Sequence, residues 1–180
     1  MSLLFSYSTY ARNKVWKDEL TLWTDIYKKS PDKARVNQYY GKALYDSGRI
    51  IEAFPIIERA LQLYEKQIEP QKRKISYEMS TYNLNLGILY KDQGDYQKAI
   101  FYLNRSLNIF YYSTTAHYII GLCYTQIGRY EEAINHLTKA MEFAKSSRLT
   151  EIGGYSNVAN IEKSLKFAKM ALKRQKDRKF

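Results

Sequence analysis

Apolar residues recur along this chain at the three- and four-residue spacing of an α-helix, and polar residues fill the positions between them. Near the start, four large residues follow one another at i, i+4, i+7 and i+11, namely Trp16, Leu20, Trp23 and Tyr27. They share one face of a helix that ends near Pro31. Near the end, lysines flank a similar apolar stripe made of Val158, Ile161, Leu165, Ala168 and Leu172. The pattern predicts an all-α protein without any sheet, with seven or eight helices in antiparallel pairs.

The middle of the chain contains a repeated segment. The residues from Gly87 to Ala99 reappear from Gly121 to Ala133, 34 residues later, with matching glycine, tyrosine and alanine positions. A third copy starts at Gly41, which lies 46 residues before Gly87, so this copy is followed by twelve extra residues. The chain is therefore predicted to stack at least three similar helix pairs.

Small residues occupy three slots of each copy, and each slot has a physical reason. One glycine falls inside the first helix, where it suits a close helix contact: Gly41, Gly87 and Gly121. An alanine of the second helix lies opposite: Ala53, Ala99 and Ala133. Another glycine falls where the first helix must end in a left-handed cap: Gly48, Gly94 and Gly128. Because a glycine inside a helix costs about 1 kcal/mol relative to alanine, three at equivalent positions indicate close helix packing.

In these slots the chain resembles the tetratricopeptide repeat family, whose 34-residue unit is a pair of antiparallel helices. The first copy departs from the pattern, since Ile50 replaces a tyrosine and Pro55 should remove a hydrogen bond from the second helix or kink it. The large aromatic residue usual in the first helix is also replaced, by Asn37, Asn83 and His117. The resemblance implies a helical repeat solenoid that binds other proteins.

The resulting fold prediction is one domain over residues 1–180, a tetratricopeptide-type solenoid of antiparallel helix pairs. Its predicted parts are a half-repeat helix at 11–31, repeat 1 with extended helices at 34–69, repeat 2 at 75–113, repeat 3 at 114–147, a capping helix at 148–175 and a basic tail at 176–180. The extra residues around Gln67 to Lys72 should lengthen both neighbouring helices. With only three prolines and no Ser/Gly-rich linker, we expect one continuous body.

A second resemblance covers residues 11–44. The segments from Arg12 to Glu19 and from Lys29 to Arg35 are similar to the junction in polytopic membrane proteins of the O-mannosyltransferase-like kind, where tetratricopeptide repeats follow the last membrane helix. This resemblance implies that the chain is the soluble tail of a membrane protein, for instance of a bacterial one. The catalytic part of that protein would not be included in these residues. The chain itself has no apolar run of the roughly 18 to 20 residues that span a bilayer, so we expect these 180 residues to be soluble.

The formal charge of +11 is unevenly distributed. Residues 1–74 carry +5, residues 75–145 carry 0 and residues 146–180 carry +6. A nucleic-acid surface would more naturally run through the middle of the chain, so solvated helix faces and a basic tail are the favoured interpretation.

No enzyme, metal or cofactor chemistry is predicted. The only histidines are His117 and His136, and the single cysteine, Cys123, follows His117 by six residues. That spacing is typical neither of zinc ligands nor of a catalytic nucleophile and its general base, so we assign packing roles to these residues. The Gly153-Gly154 pair follows a helix end without a preceding strand, which argues against a nucleotide-binding loop.

Stacked helix pairs form a superhelix whose first helices line a concave groove. Counting along the first helices assigns thirteen residues to the groove side: Arg35, Gln38, Lys42, Tyr45, Thr81, Leu84, Asn85, Ile88, Lys91, Thr115, Tyr118, Leu122 and Thr125. The alternative for each is contact with an adjacent repeat. Of the Lys and Asn positions with which some family members clamp a peptide carboxylate, only Asn85 has a counterpart, so that clamp is not predicted.

The favoured function is a non-catalytic scaffold that binds a peptide or helical segment in the groove. An apolar floor of Leu84, Ile88, Tyr118 and Leu122 and a basic rim of Arg35, Lys42 and Lys91 should select apolar anchors with acidic flanks. A second hypothesis is the soluble tail of a membrane glycosyltransferase-like protein, which recruits partners to it. The third is nucleic-acid binding through the basic ends, with affinity that falls steeply with salt.

Overall fold

The computed structural model describes residues 17–67, 77–146 and 157–178, and within these ranges it contains eight α-helices and no strand. They are α1 (Glu19–Lys29), α2 (Ala34–Asp46), α3 (Ile50–Gln67), α4 (Tyr77–Asp92), α5 (Tyr96–Leu107), α6 (Thr114–Gln126), α7 (Tyr130–Ser146) and α8 (Val158–Asp177). The all-α prediction is confirmed, and α2–α3, α4–α5 and α6–α7 form the three predicted helix pairs.

The chain divides into two compact units, Met1–Lys74 and Ile75–Phe180. The first contains α1, α2 and α3, and the second contains α4 to α8. Our expectation of one continuous domain stays a prediction.

Helix α1 packs on α2 through two stacked pairs of aromatic rings. Trp23 lies on Tyr39 and Tyr27 lies on Tyr40, each with ring centroids 4.6 Å apart. The helix begins with a capping box, in which Asp18 accepts a 2.7 Å hydrogen bond from the backbone N–H of Thr21. The predicted half-repeat helix is thus present at Glu19–Lys29, while the predicted residues 11–16, including Trp16, lie outside the described residues.

The first helix of each repeat approaches its partner as closely as the glycine pattern predicts. A Cβ atom added to Gly121 would lie 2.6 Å from Leu137 Cγ and 3.3 Å from the carbonyl oxygen of Ala133. The added Cβ would meet Leu103 and Ala99 at Gly87, and Ile57 and Ala53 at Gly41. A Cβ at any of these positions would therefore overlap the facing Ile or Leu side chain, which would have to move.

The second glycine of each repeat ends the first helix in a left-handed conformation, with φ of 82° at Gly48, 81° at Gly94 and 76° at Gly128. The hydrogen bonds of a Schellman cap accompany it. In repeat 1, Gly48 N donates to Tyr45 O at 2.9 Å and Arg49 N donates to Leu44 O at 2.9 Å. The predicted caps are confirmed, and they set the tight turn between the two helices of each repeat.

The extra residues between repeats 1 and 2 fall partly outside the described residues. Helix α3 has 18 residues against 12 in α5 and 17 in α7, and α4 has 16 against 13 in both α2 and α6. Helix α3 continues through Pro55, whose exposed ring lies on the solvent side. At the other end, α8 runs to Asp177, so the predicted basic tail begins inside the capping helix.

Candidate functional site

Four of the predicted groove residues lie on α2 in the first unit. Arg35 and Lys42 are exposed, Tyr45 is half-buried, and Gln38 is buried with 8% exposure. Gln38 therefore does not offer its side chain to a ligand, and the prediction is corrected at that position. The Lys42 ammonium group is paired with the carboxylate of Asp46 one turn later. Since both side chains are about half exposed, this pair contributes little to stability.

The other nine predicted residues lie on α4 and α6, the first helices of repeats 2 and 3, which contact each other within the second unit. Eight of them are half-buried: Thr81, Leu84, Asn85, Ile88, Lys91, Thr115, Leu122 and Thr125. The ninth, Tyr118, is only 7% exposed. The aromatic residue that we expected to anchor a ligand therefore presents almost no surface to solvent. Its burial agrees with the alternative role, which is contact with an adjacent repeat.

The polar residues of this surface are mostly engaged by the protein itself. Thr81 Oγ1 donates to Tyr77 O at 3.0 Å and Thr125 Oγ1 donates to Gly121 O at 2.8 Å, so both hydroxyls bond their own helix. Lys91 Nζ lies 2.6 Å from Asp92 Oδ1, and both side chains are largely shielded. Lys91 is therefore not the free rim charge that we expected.

Asn85 differs from its neighbours. Its half-buried amide has no hydrogen-bond partner within the described part of the chain. A side-chain amide both donates and accepts, so it can bind the backbone of an extended segment. Leu84, Ile88 and Leu122 lie on the same two helices and supply half-buried apolar surface.

The two histidines pack against each other at the contact between α6 and α7. His117 Nδ1 and His136 Nδ1 lie 3.1 Å apart, and His117 Nε2 lies 3.1 Å from the carbonyl oxygen of Tyr111. Burial lowers the pKa of His117, and burial together with the neighbouring His117 lowers the pKa of His136 to about 4. Both rings are therefore neutral near pH 7.

Asn37 occupies the slot of His117 in repeat 1, and it makes the same kind of hydrogen bond. Its Nδ2 donates to the carbonyl oxygen of Pro31, six residues earlier, at 2.6 Å, as His117 does to Tyr111. Asn83 in repeat 2 instead donates to Met79 O at 2.7 Å. Asn37 and His117 thus bond the chain just before their own helices, which explains why this slot accepts a polar residue in repeats 1 and 3.

The single cysteine is buried on α6. Burial raises the pKa of the Cys123 thiol to about 12, so the reactive thiolate is not formed near neutral pH. Residues 17–67, 77–146 and 157–178 contain no cluster of three or more His, Cys, Asp or Glu that could hold a metal ion. Over the same ranges, no helix is both long and apolar enough to cross a bilayer.

Several exposed apolar residues lie outside the predicted groove, and the sequence analysis did not find them. They are Tyr39, Ile51, Tyr77, Phe101, Phe110, Tyr111, Tyr112, Phe167 and Met170. Phe110, Tyr111 and Tyr112 are consecutive in the turn between α5 and α6, and Tyr39, Ile51, Tyr77 and Phe101 occur singly on helices, where no periodic pattern distinguishes them from core residues. Phe167 and Met170 are an exception, because their spacing in α8 forms a second apolar stripe beside the one that we identified.

In the second unit two antiparallel helix pairs stack, with α4 against α6, which is the architecture of helical repeat proteins. The tetratricopeptide repeat family model matches residues 32–111 and 77–146. The chain therefore belongs to the tetratricopeptide repeat family. The matched region does not include residues 11–31, which carry much of the resemblance to membrane mannosyltransferases. A comparison with curated protein sequences finds no match.

Solved structures with the same fold include three informative examples. The Cut9–Hcn1 hetero-tetramer of the APC/C contains a chain that is 19% identical, with a TM-score of 0.67 over 81% of this chain and 25% of that one. The C-terminal TPR-containing domain of a Plasmodium falciparum FK506-binding protein is 23% identical, with a TM-score of 0.66 over 81% and 91%. The first TPR of Spaghetti (RPAP3), bound to the HSP90 peptide SRMEEVD, is 15% identical, with a TM-score of 0.59 over 78% and 93%. The present chain thus spans about a quarter of the length of the matched chain in the Cut9–Hcn1 structure.

Proposed function

We propose that this protein is a non-catalytic scaffold that binds a segment of a partner protein along the first helices of its repeats. The site lies in the second unit, on α4 and α6. We call the four residues Leu84, Asn85, Ile88 and Leu122 the first-helix surface. The observation that carries the proposal is that the two contacting helices α4 and α6 present three half-buried apolar side chains and a half-buried amide that has no hydrogen-bond partner in the described part of the chain.

This composition suits an extended or helical segment with apolar anchors. Apolar side chains of the segment would remove the exposed parts of Leu84, Ile88 and Leu122 from water, which stabilises a complex by roughly 25 cal/mol for each Å² buried. The Asn85 amide would fix the position of the segment by hydrogen bonding its backbone. Neutral, half-buried residues bind without the desolvation cost of a buried charge.

Two observations support acidic flanks in the partner. The chain as a whole carries a formal charge of +11. A positive protein field speeds the encounter with an acidic segment more than it strengthens the complex. The SRMEEVD peptide on the RPAP3 repeat combines two Glu and one Asp with apolar Met and Val, which is the same type of segment.

The experiment that tests the proposal selects peptides from a random displayed library on the full chain and measures their affinities by fluorescence anisotropy. Leu84→Ala and Leu122→Ala should each weaken a selected peptide by about 1 to 2 kcal/mol, or roughly tenfold, because each removes an apolar contact. Tyr118→Ala is unsuitable, since that buried side chain contributes to folding.

Phe101→Ala is the matched control, because it removes an exposed apolar side chain from α5, a second helix of the same unit. It should leave the affinity unchanged. If the selected peptides lost affinity with Phe101→Ala and kept it with both leucine variants, the first-helix surface would not be the binding site.

A further inference from the structure

Helix α8 carries two apolar stripes, and only one of them is used by the fold. Ile161 and Ala168 are fully buried and hold α8 on the preceding helices. The second stripe, Phe167, Met170 and Ala171, follows the helical spacing i, i+3 and i+4 on another side of the helix, and Arg174 continues it at i+7 with a charged group. A capping helix that only shields the last repeat from solvent needs one apolar stripe.

The second stripe lines a cleft of about 540 Å³ between α8 and the turn that joins α6 to α7. We call it the C-terminal cleft, and its lining consists of Gly128, Tyr130, Phe167, Met170, Ala171, Arg174, Gln175 and Arg178. Phe167 is 60% exposed and Met170 is 49% exposed. Two neighbouring large apolar side chains at this exposure, beside a tyrosine in a concave site, are typical of interaction surfaces rather than of isolated exposed residues.

The charge around the cleft is positive. Helix α8 and its C-cap carry Lys163, Lys166, Lys169, Lys173, Arg174, Lys176 and Arg178, against Glu162 and Asp177. Lys176 pairs with Glu131 of α7, with Nζ 3.1 Å from Oε1. Arg174 and Arg178, which line the cleft, form no ion pair with any described residue. Two guanidinium groups beside an apolar cleft match carboxylates, which they bind with paired hydrogen bonds.

We propose that the C-terminal cleft is a second docking site, which binds an acidic segment of a partner protein. An apolar side chain of the segment contacts Phe167 and Met170, and its carboxylates pair with Arg174 and Arg178. A second copy of this chain is disfavoured as the occupant, because two α8 helices would bring like charges together. The site is separate from the first-helix surface, so a result that contradicts one proposal leaves the other unaffected.

The methionines allow a direct test, because Met170 lies in the cleft and Met79 lies on α4, the helix that carries three residues of the first-helix surface. Random displayed peptides are selected on the full chain, and each enriched peptide is titrated into protein labelled with ¹³C at the methionine methyl groups. At least one enriched family should combine Asp or Glu with a large apolar residue and should shift the Met170 methyl resonance, identified with Met170→Leu, without shifting that of Met79.

Matched variants then separate specific docking from general charge attraction. Arg174→Gln with Arg178→Gln should weaken that peptide by about tenfold or more, and Phe167→Ala should weaken it similarly. Lys169→Gln with Lys173→Gln makes the same charge change on the same helix outside the cleft, and it should have an effect of less than about threefold. Ile51→Ala removes an 88%-exposed apolar side chain elsewhere and should have no effect.

Three results would overturn the proposal. One is that no peptide shifts the Met170 resonance, either because no peptide is enriched or because every enriched peptide shifts only the Met79 resonance. Another is that the lysine pair matters as much as the arginine pair. The last is that vesicles of equal parts phosphatidylcholine and phosphatidylserine shift Met170 while no peptide does, which would assign the stripe to a membrane surface.

Discussion

His117 and His136 share a hydrogen bond between their Nδ1 atoms, which lie 3.1 Å apart. A carbonyl oxygen only accepts, so the 3.1 Å contact with Tyr111 O requires that His117 Nε2 carries the proton. The Nδ1 of neutral His117 is then the acceptor, and His136 donates from Nδ1. Protonation of His117 would turn its Nδ1 into a second donor and break this hydrogen bond, and two charged rings would also repel one another.

Folding stability should therefore fall as the pH drops from 6.5 towards 4. In the unfolded chain both histidines take up protons near pH 6.5, whereas in the folded protein the pKa of His136 is about 4 and that of His117 is also lowered. The unfolded state thus binds more protons over this window, and it gains stability relative to the folded state. We expect a loss of about 1 to 3 kcal/mol in the free energy of unfolding, measured by urea denaturation.

His136→Gln is the informative comparison, because its amide can still donate to His117 Nδ1 but cannot be charged. The variant should have nearly wild-type stability above about pH 7 and a shallower loss below it. Carboxylates titrate in both proteins and cancel in the difference. Equal pH slopes for the variant and the wild type would show that the pair does not control acid stability.

Gly121→Ala should destabilise the protein, although alanine favours helix more than glycine does. The added Cβ would lie 2.6 Å from Leu137 Cγ, and overpacking of this kind costs about 1 to 3 kcal/mol. Higher helix propensity alone would instead stabilise the protein by about 1 kcal/mol, so the sign of the change separates the two effects. Thermal denaturation gives the sign.

Leu137→Ala provides the partner variant for a double-mutant cycle. It creates a cavity by itself, but it also removes the atoms that Gly121→Ala would overlap. The double variant should be more stable than the sum of the single effects predicts, by about 1 kcal/mol or more. Additive effects, or a stabilising Gly121→Ala, would contradict the close approach of α6 and α7.

Trp23→Ala should detach α1 while it leaves α2 and α3 folded. The ring of Trp23 stacks on Tyr39 in one of the two ring pairs that join α1 to α2, and removal of a half-buried aromatic residue costs about 1 to 3 kcal/mol. Hydrogen exchange should show lost protection in Glu19–Lys29 and retained protection in Ala34–Asp46. Lys28→Ala, an exposed change in the same helix, is the control, and unaltered exchange of α1 in the Trp23 variant would refute the anchoring role.

Most of the fold could be predicted from the sequence because its determinants are local and repeated. Gly87 and Gly121 recur in register, and at both positions an added Cβ would overlap the facing leucine side chain. The left-handed φ of Gly94 was likewise predictable, because the next helix follows immediately. The repeat pattern is interrupted at residues 68–76 and 147–156, which lie outside the described residues.

The candidate site was harder to predict because exposure depends on packing between helices. Tyr118 and Leu122 lie one turn apart on α6, yet Tyr118 is 7% exposed and Leu122 is half-buried. The sequence predicted Lys91 as an exposed charge at the rim of the groove. In the structure its side chain is largely shielded from solvent and pairs with Asp92. The second stripe of α8 could have been predicted from the spacing of Phe167 and Met170. The lysines around these residues instead suggested a fully solvated helix face.

The most direct test of the central claim is to map where a bound segment lies. The photoreactive residue p-benzoylphenylalanine is placed at Ile88 on α4 or, in a second protein, at Phe101 on α5, and each protein is irradiated with a library-selected peptide whose affinity is weakened by Leu84→Ala. Mass spectrometry should detect the peptide covalently attached at position 88 and absent at position 101. Attachment at 101 with none at 88 would contradict binding along the first helices.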